Sequence, residues 1–586
     1  MDSVLSKINS PKDLRKFSLD ELNVLADEIR DVLIKKVNVT GGHMAPNLGM
    51  VEATIAMHYV FNSPVDKMVF DVSHQSYVHK ILTGRKEAFI NTDKYYSISG
   101  YTNPEESDHD HFVVGHTSTS VSLATGLAKA RDLKGDKENI IAIIGDGSLS
   151  GGEAYEGLNN AAVLNSNMII LVNDNEMSIA ENQGGLYGNL AKLRDTKGEA
   201  ECNFFKALGF DYYYIEDGNN IKNVIEALEK VKDTDKPVVV HMHTLKGKGL
   251  DMAEKNKEHW HWIMPGEVDG SFDATKNGEN YGSVTADFIT EKYKEDKTVI
   301  AISPATPGVT GFTPEFREKA GVNYIDVGIA EEHAVAFASG IAANGGKPII
   351  GVHSSFIQRT YDQLSQDLSL NKNSATILVF GNGISGADAT HLGIFDIPLI
   401  SNIPNMVYLA PTTKEEYLRM INWSVDQNDY PVAIRIPSGK LISTGVKDTT
   451  NYSDLNKYKV ESKGSKVAII GLGSFLELGK NTKKALKEKT GNDATLINPR
   501  FITGIDEELL EDLKVNHEVV ITLEDGVLHG GFGEKISRFY GSSEMKVLNF
   551  GSDKEFTDRV SLDELYDRYH LKEELIINDI INVLNK

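Results

Sequence analysis

The stretch from Gly145 to Met177 constrains this chain more than any other. It reads Gly145-Asp146-Gly147-Ser148, then an amphipathic segment, then Asn173-Asp174-Asn175-Glu176-Met177. Each loop follows a short apolar run, Ile140 to Ile144 and Met168 to Val172. Such runs, bounded by Gly and Asp or Asn, predict buried parallel strands. Between them Ala154, Leu158, Ala161 and Ala162 recur at helical spacing over 152–164. The unit is strand, loop, helix, strand, loop. In a right-handed βαβ crossover both loops open on the same edge of a sheet. An α/β fold follows.

The two loops carry a chemistry. Gly147 lets the backbone approach a phosphate closely, and the helix start turns amides toward an anion. Asp146 supplies a carboxylate, and Asn175, 29 residues on, supplies an amide oxygen. Mg²⁺ takes a few oxygen ligands from protein and readily keeps phosphate oxygens as the others. Asp146, Asn175 and the Met177 carbonyl are the expected anchors of a Mg²⁺-diphosphate.

A length of 586 residues predicts several domains. The expected boundaries are 1–280, 281–445 and 457–586, three successive α/β domains. A net charge of −23 argues against nonspecific binding to nucleic acid or to an anionic membrane. The single cysteine, Cys202, rules out an intrachain disulfide and points to a reducing compartment. Residues 1–16 have no apolar core, and no run approaches the roughly 18 apolar residues of a membrane helix. A cytoplasmic protein is expected.

Histidines punctuate the first domain. Gly41-Gly42-His43 follows a helix over 19–36, with Leu22, Leu25, Ala26, Ile29, Val32 and Leu33 as its apolar stripe. Ser73-His74 and His79 follow the apolar run at 68–72. Gly115-His116-Thr117 opens a helix over 121–130. Such strand-to-helix junctions face the ligand edge of an open sheet, so at least two of His43, His74 and His116 are expected at a site. Residues 181–190 are rich in Gly and Asn. His261 lies between Trp260 and Trp262, either as a site residue or as part of an aromatic lid. In the second domain Glu331 sits between a strand and a small-residue helix, where desolvation would raise its pKa. A helix-start carboxylate favoured by the dipole is the alternative. In the third, Gly471-Leu472-Gly473 resembles a nucleotide-loop start but lacks the remaining glycine.

These features resemble the transketolase branch of thiamin diphosphate enzymes, and most closely the 1-deoxy-D-xylulose-5-phosphate synthase family. Residues 8–16, 41–43, 71–85, 115–120, 173–178, 326–334 and 356–363 all look like that family. The resemblance implies thiamin diphosphate and Mg²⁺ as cofactors, with Asp146, Asn175 and Met177 as metal ligands. It implies cofactor contacts from His74, Gly115, His116, Thr117, Gly147, Ser148, Asn175, Ile179 and Phe356. Leu250 stands where the family has a tyrosine. Glu331 would hydrogen-bond the aminopyrimidine ring and promote its reactive tautomer. His43, His261 and His391, with Asp388, would move protons, and His43, His353, Arg359 and His391 would hold substrate oxygens. Pyruvate would lose carbon dioxide, and the two-carbon unit would join an aldehyde, by default glyceraldehyde 3-phosphate. The alternative is a transketolase-like ketol transfer or an acceptor without phosphate. The resemblance also implies a homodimer serving isoprene and thiamine biosynthesis.

Departures cluster at the acceptor end. Two family arginines are replaced, by the stretch Phe380-Gly381-Asn382-Gly383 and by Ser438 after Ile436-Pro437. His353 replaces a tyrosine, the stretch Gly386 to His391 is one residue short, and the chain between Asn189 and Glu199 is much shorter than usual. Losing two charged donors to a phosphate costs about 1.5–3 kcal/mol each, or roughly two to four decades of affinity. Arg359, Arg435, Lys440 or His353 are the candidates to compensate.

Overall fold

The computed structural model describes residues 3–273 and 278–585. They form two compact units, Met1–Lys276 with Gly328–Ala330, and Asn277–Val327 with Glu331–Lys586. Residues 274–277, near the end of the expected first domain, lie outside the described residues.

The first unit is built on five parallel strands, β1 (Lys67–Phe70), β2 (Ile140–Gly145), β3 (Met168–Asp174), β4 (Asp211–Ile215) and β5 (Pro237–His243), in the order β1-β2-β3-β5-β4. The apolar runs are continuous because both sheet faces are covered. Ile141, Ile143, Ile169 and Leu171 pack into one layer. Ile140, Ala142, Ile144, Met168, Ile170 and Val172 pack into the other. The register pairs Gly145 with Asn173, so the chain leaves β2 and β3 at the same level. Helix Gly152–Ala161 makes the crossover.

One expectation changes here, and one helix was not predicted. The first long helix runs Leu19–Thr40, four residues beyond the expected end, and stops where Gly41 adopts φ +69°. The Gly/Asn-rich stretch holds a helix, Gly185–Asp195, whose Leu190 and Leu193 are fully buried. Tertiary packing outweighs Gly185 and Gly188, which disfavour a helix.

The second unit carries two sheets. Strands β6 (Val299–Ser303), β7 (Tyr324–Asp326), β8 (Lys347–His353), β9 (Thr376–Phe380), β10 (Val407–Leu409) and β11 (Val432–Arg435) are parallel, in the order β10-β11-β9-β8-β6-β7. Strands β12 (Lys459–Ser462), β13 (Lys466–Gly471), β14 (Thr495–Asn498), β15 (His517–Val527) and β16 (Lys546–Ser552) follow, with only β12 antiparallel. Gly471 serves packing: a Cβ there would lie 2.7 Å from Leu476 Cα. That tight strand-to-helix turn accounts for the glycine without a nucleotide. Among the described residues no helix is long and apolar enough to cross a membrane.

Candidate active site

In the first unit, four loops converge on one sheet edge. The loop after β1 is strained: Val72 and Ser73 adopt φ +56° and +64°, and a β-branched residue there is an outlier that tertiary contacts must hold. Asp71 supplies them. Its carboxylate accepts the amide N–H groups of Ser118 (2.7 Å) and Ser120 (2.9 Å), and Ser73 Oγ donates to the Val114 carbonyl. The His74 loop is thereby tied to the Gly115-His116-Thr117 loop. Ser118 Oγ in turn donates to the Ser148 carbonyl at 2.8 Å, which links both to the Asp146 loop.

The Asp146 and Asn175 loops touch. A Cβ on Gly147 would lie 2.9 Å from Ser178 Cα, so only glycine permits this approach. Asp146 is 1% exposed, and its carboxylate accepts from Asn182 Nδ2 at 2.6 Å. Burial and the neighbouring Asp174 charge push its pKa up, against the Asn182 hydrogen bond and the Lys246 charge. Asn175 Oδ1 is buried and has no hydrogen-bond partner. A buried amide oxygen without a donor is costly unless something else satisfies it. No group of three or more His, Cys, Asp or Glu side chains suited to a metal occurs among the described residues. One carboxylate, one amide oxygen and a loop carbonyl suit a hard cation that also holds phosphate oxygens. Met177 and Ile179, both half-buried, follow on the same loop.

Lys246, which the sequence analysis passed over, belongs here. It is 2% exposed, and its ammonium donates to the Ser178 carbonyl at 2.5 Å. Burial pulls its pKa down to about 7, while the Asp146 carboxylate opposes the fall. The only sequence signal was a lysine in a Gly-rich loop directly after a strand. Three histidines stand together nearby: His43 to His74 at 4.8 Å between ring centres, His43 to His261 at 5.4 Å, and His74 to His261 at 5.3 Å. His261, left between two readings by the sequence, lies against both other rings. Burial first, then the charges of Lys246, His74 and His43, hold its pKa well below the ordinary value. His79 is elsewhere, fully buried between His58 (2.9 Å) and Asp110 (2.8 Å), with Arg85 on the same carboxylate. Its role is structural. Leu250 is half-buried at the start of the short helix Asp251–Lys255.

The second unit holds the remaining candidates. Glu331 begins helix Glu331–Ala343 and is 5% exposed. Its Oε2 has no hydrogen-bond partner and lies 3.9 Å from Arg359 Nη1. Burial raises its pKa to about 7 against the opposing Arg359 charge. The ordinary value is 4.5, so between about pH 4.5 and 7 the folded chain keeps a proton the unfolded chain has lost. Stability therefore falls as pH rises through that window. Glu331→Gln should remove this loss, making the cofactor-free protein more stable than wild type at pH 8 by up to about 3 kcal/mol, with no gain at pH 4. Urea unfolding at the two pH values checks it; equal stability at pH 8 would show that the carboxylate is not desolvated.

Phe356, His353 and His391 cluster, with ring centres at 5.3 Å (His353–Phe356), 5.6 Å (Phe356–His391) and 6.3 Å (His353–His391). His353 Nδ1 meets Ser355 Oγ at 2.7 Å. His391 Nδ1 meets Thr390 Oγ1 at 2.8 Å and Asp388 Oδ1 at 3.3 Å. Burial alone would raise the Asp388 pKa, but hydrogen bonds from His391 and Thr390 hold it at about 2. Arg435 is a correction. It was a candidate for a phosphate, yet it is 3% exposed and its guanidinium is shared between Asp396 (Nε to Oδ2, 2.7 Å) and Asp525. Lys440 is exposed. The register pairs His353 with Phe380, so the imidazole lies over Gly381, where a Cβ would sit 2.1 Å from Nε2.

A family described as 1-deoxy-D-xylulose-5-phosphate synthase matches residues 5–203 and 193–244. The transketolase pyrimidine-binding domain matches 279–442, and the transketolase C-terminal domain matches 456–576. A 1-deoxy-D-xylulose-5-phosphate synthase of Natranaerobius thermophilus is 38% identical over 100% of this chain and 99% of its own length. That of Clostridium botulinum is 38% identical over 100% of both.

Proposed function

The chain belongs to the 1-deoxy-D-xylulose-5-phosphate synthase family, and from that premise we propose a role for each part of the two units. The protein is a thiamin-diphosphate- and Mg²⁺-dependent transferase of the three-domain transketolase type. Asp146, Asn175 and the Met177 carbonyl hold Mg²⁺, and Lys246 adds a buried cation for the diphosphate. Gly147 and Ser148 would offer the close approach, with further cofactor contacts from His74 and the Gly115-His116-Thr117 loop, which hydrogen bonds tie to the Asp146 loop. Ile179 and Leu250 supply apolar contact. The observation that carries this reading is the pair of touching loops with a buried carboxylate and a partnerless buried amide oxygen.

Thiamin diphosphate, when bound, supplies the carbon nucleophile and electron sink on which pyruvate is decarboxylated. The chain orients, desolvates and moves protons. Glu331 would hydrogen-bond the aminopyrimidine ring from a buried site that raises its pKa to about 7, and Phe356 would give that ring an aromatic face. His43, His261 and His391 hold or transfer protons at substrate oxygens. Asp388 would fix the His391 ring by accepting from Nδ1. Arg359 and His353 complete the substrate contacts. We assign a homodimer and a cytoplasmic location on the same family grounds.

A specific observation favours a second reading of the acceptor. His353 fills the space over Gly381, Arg435 is consumed by Asp396 and Asp525, and the Ser438 hydroxyl donates to the Asn382 carbonyl. None of these groups leaves a guanidinium fork for a phosphate. Carboligation onto a short hydroxyaldehyde without phosphate fits that arrangement. Steady-state kinetics with pyruvate decides between acceptors. On the second reading the KM for glyceraldehyde 3-phosphate is no lower than that for glyceraldehyde. A phosphate grip of the usual kind would instead lower it by about two decades or more.

A further inference from the structure

Helix Gly185–Asp195 touches both loops of the metal site from one face. Tyr187 and Arg194 are seven residues apart, two turns, and so point the same way. The Tyr187 hydroxyl donates toward the carbonyls of Asp146 (3.1 Å) and Gly147 (3.3 Å). Arg194 Nη1 donates to Asp174 Oδ2 at 2.6 Å, and Nη2 to Glu176 Oε2 at 3.2 Å. Those two carboxylates flank Asn175. Just ahead of the helix, Asn182 Nδ2 holds the Asp146 carboxylate itself.

The contact points continue inward. Asp174 is fully buried and also accepts from His241 Nε2 at 2.9 Å, whose other nitrogen meets Tyr212 OH at 2.8 Å. His243 Nε2 meets Glu176 Oε1 at 3.0 Å. Glu176 adopts φ +65°, and its N–H donates to Asp174 Oδ1 at 3.2 Å. That left-handed turn directly after Asn175 is unfavourable for a glutamate and persists only where neighbours hold it. Arg194 grips its two ends. Leu190 and Leu193, fully buried between Tyr187 and Arg194, seat the helix on the unit.

We propose that Tyr187 and Arg194 are positioning residues of the Mg²⁺-diphosphate site: they make helix Gly185–Asp195 a strap that fastens the Asp146 loop to the Asn175 loop. The inference rests on the proposed cation at Asp146 and Asn175. Neither side chain ligates the ion. Their effect is to fix the distance between two ligands on separate loops, so that the ion does not have to order them.

The test is calorimetric titration of Mg²⁺ into the full-length protein at saturating thiamin diphosphate. Three variants are compared with wild type: Tyr187→Phe, which keeps the ring, Arg194→Gln, and Arg194→Lys. The strap predicts a Mg²⁺ Kd raised roughly 10–100-fold in Arg194→Gln, the scale for lost outer-shell partners. It predicts about 2–10-fold in Tyr187→Phe, one neutral hydrogen bond. Arg194→Lys should recover part of the loss, since it keeps the charge but not the planar fork. The KM for pyruvate, once Mg²⁺ is saturating, should not move. A lowered melting temperature of the cofactor-free protein with a wild-type Mg²⁺ Kd in Tyr187→Phe and Arg194→Lys would overturn the proposal and leave the helix a packing element. Should Arg194→Gln fail to fold, these two variants decide. Should wild type itself take up no Mg²⁺ with thiamin diphosphate, the underlying site assignment fails instead.

Discussion

Glu331→Gln should cut pyruvate turnover by about 10²–10⁴-fold, the usual reach of one positioned proton donor or acceptor. The amide keeps the shape of the side chain, so the cofactor should still bind within about tenfold of wild type. The expectation follows from placement. Glu331 starts a helix, lies 5% exposed, and keeps one carboxyl oxygen without a hydrogen-bond partner. Burial raises its pKa to about 7, so a proton is available at neutral pH. An amide can donate but cannot exchange a proton with a ring nitrogen. Release of carbon dioxide from carboxyl-labelled pyruvate measures the loss. Turnover within tenfold of wild type would assign Glu331 to the helix dipole alone.

Asp146→Asn should weaken Mg²⁺-dependent uptake of thiamin diphosphate by at least about a hundredfold, since even outer partners of metal ligands reach that scale. The variant removes the one carboxylate at the cage while keeping its shape. It should not unfold the protein. Burial and the Asp174 charge raise the Asp146 pKa in the cofactor-free state, so the ionised form costs stability above its ordinary pKa, and the amide does not. Loss of affinity with unchanged or raised melting temperature is the expected pair of results. Equilibrium dialysis of thiamin diphosphate at several Mg²⁺ concentrations reads the first. Wild-type affinity in this variant would place the cation elsewhere.

How much of this was legible beforehand depends on the range of the interactions. The Asp146 and Asn175 loops were, because apolar strands and glycine turns are local signals. The register between Gly145 and Asn173 only makes explicit what a βαβ unit implies. Glu331 was marked as a charge ahead of an apolar helix. Lys246 was not, because a lysine's burial is invisible until the loops around it close. Arg435 was misjudged for the same reason: Asp396 and Asp525, distant in sequence, decide whether the guanidinium is available. Helix Gly185–Asp195 was missed because Gly185 and Gly188 disfavour helix, while Leu190, Leu193, Tyr187 and Arg194 stabilise it only through contacts with other segments. His261 stayed open in sequence because its ring partners His43 and His74 lie some two hundred residues upstream.

Calorimetric titration of thiamin diphosphate into the purified protein, once with Mg²⁺ and once with a chelator, tests the metal-site assignment most directly. A saturable one-site heat that appears with Mg²⁺ and vanishes with chelator is the predicted result. No heat in either condition, or the same heat in both, would contradict a cation held between Asp146 and Asn175.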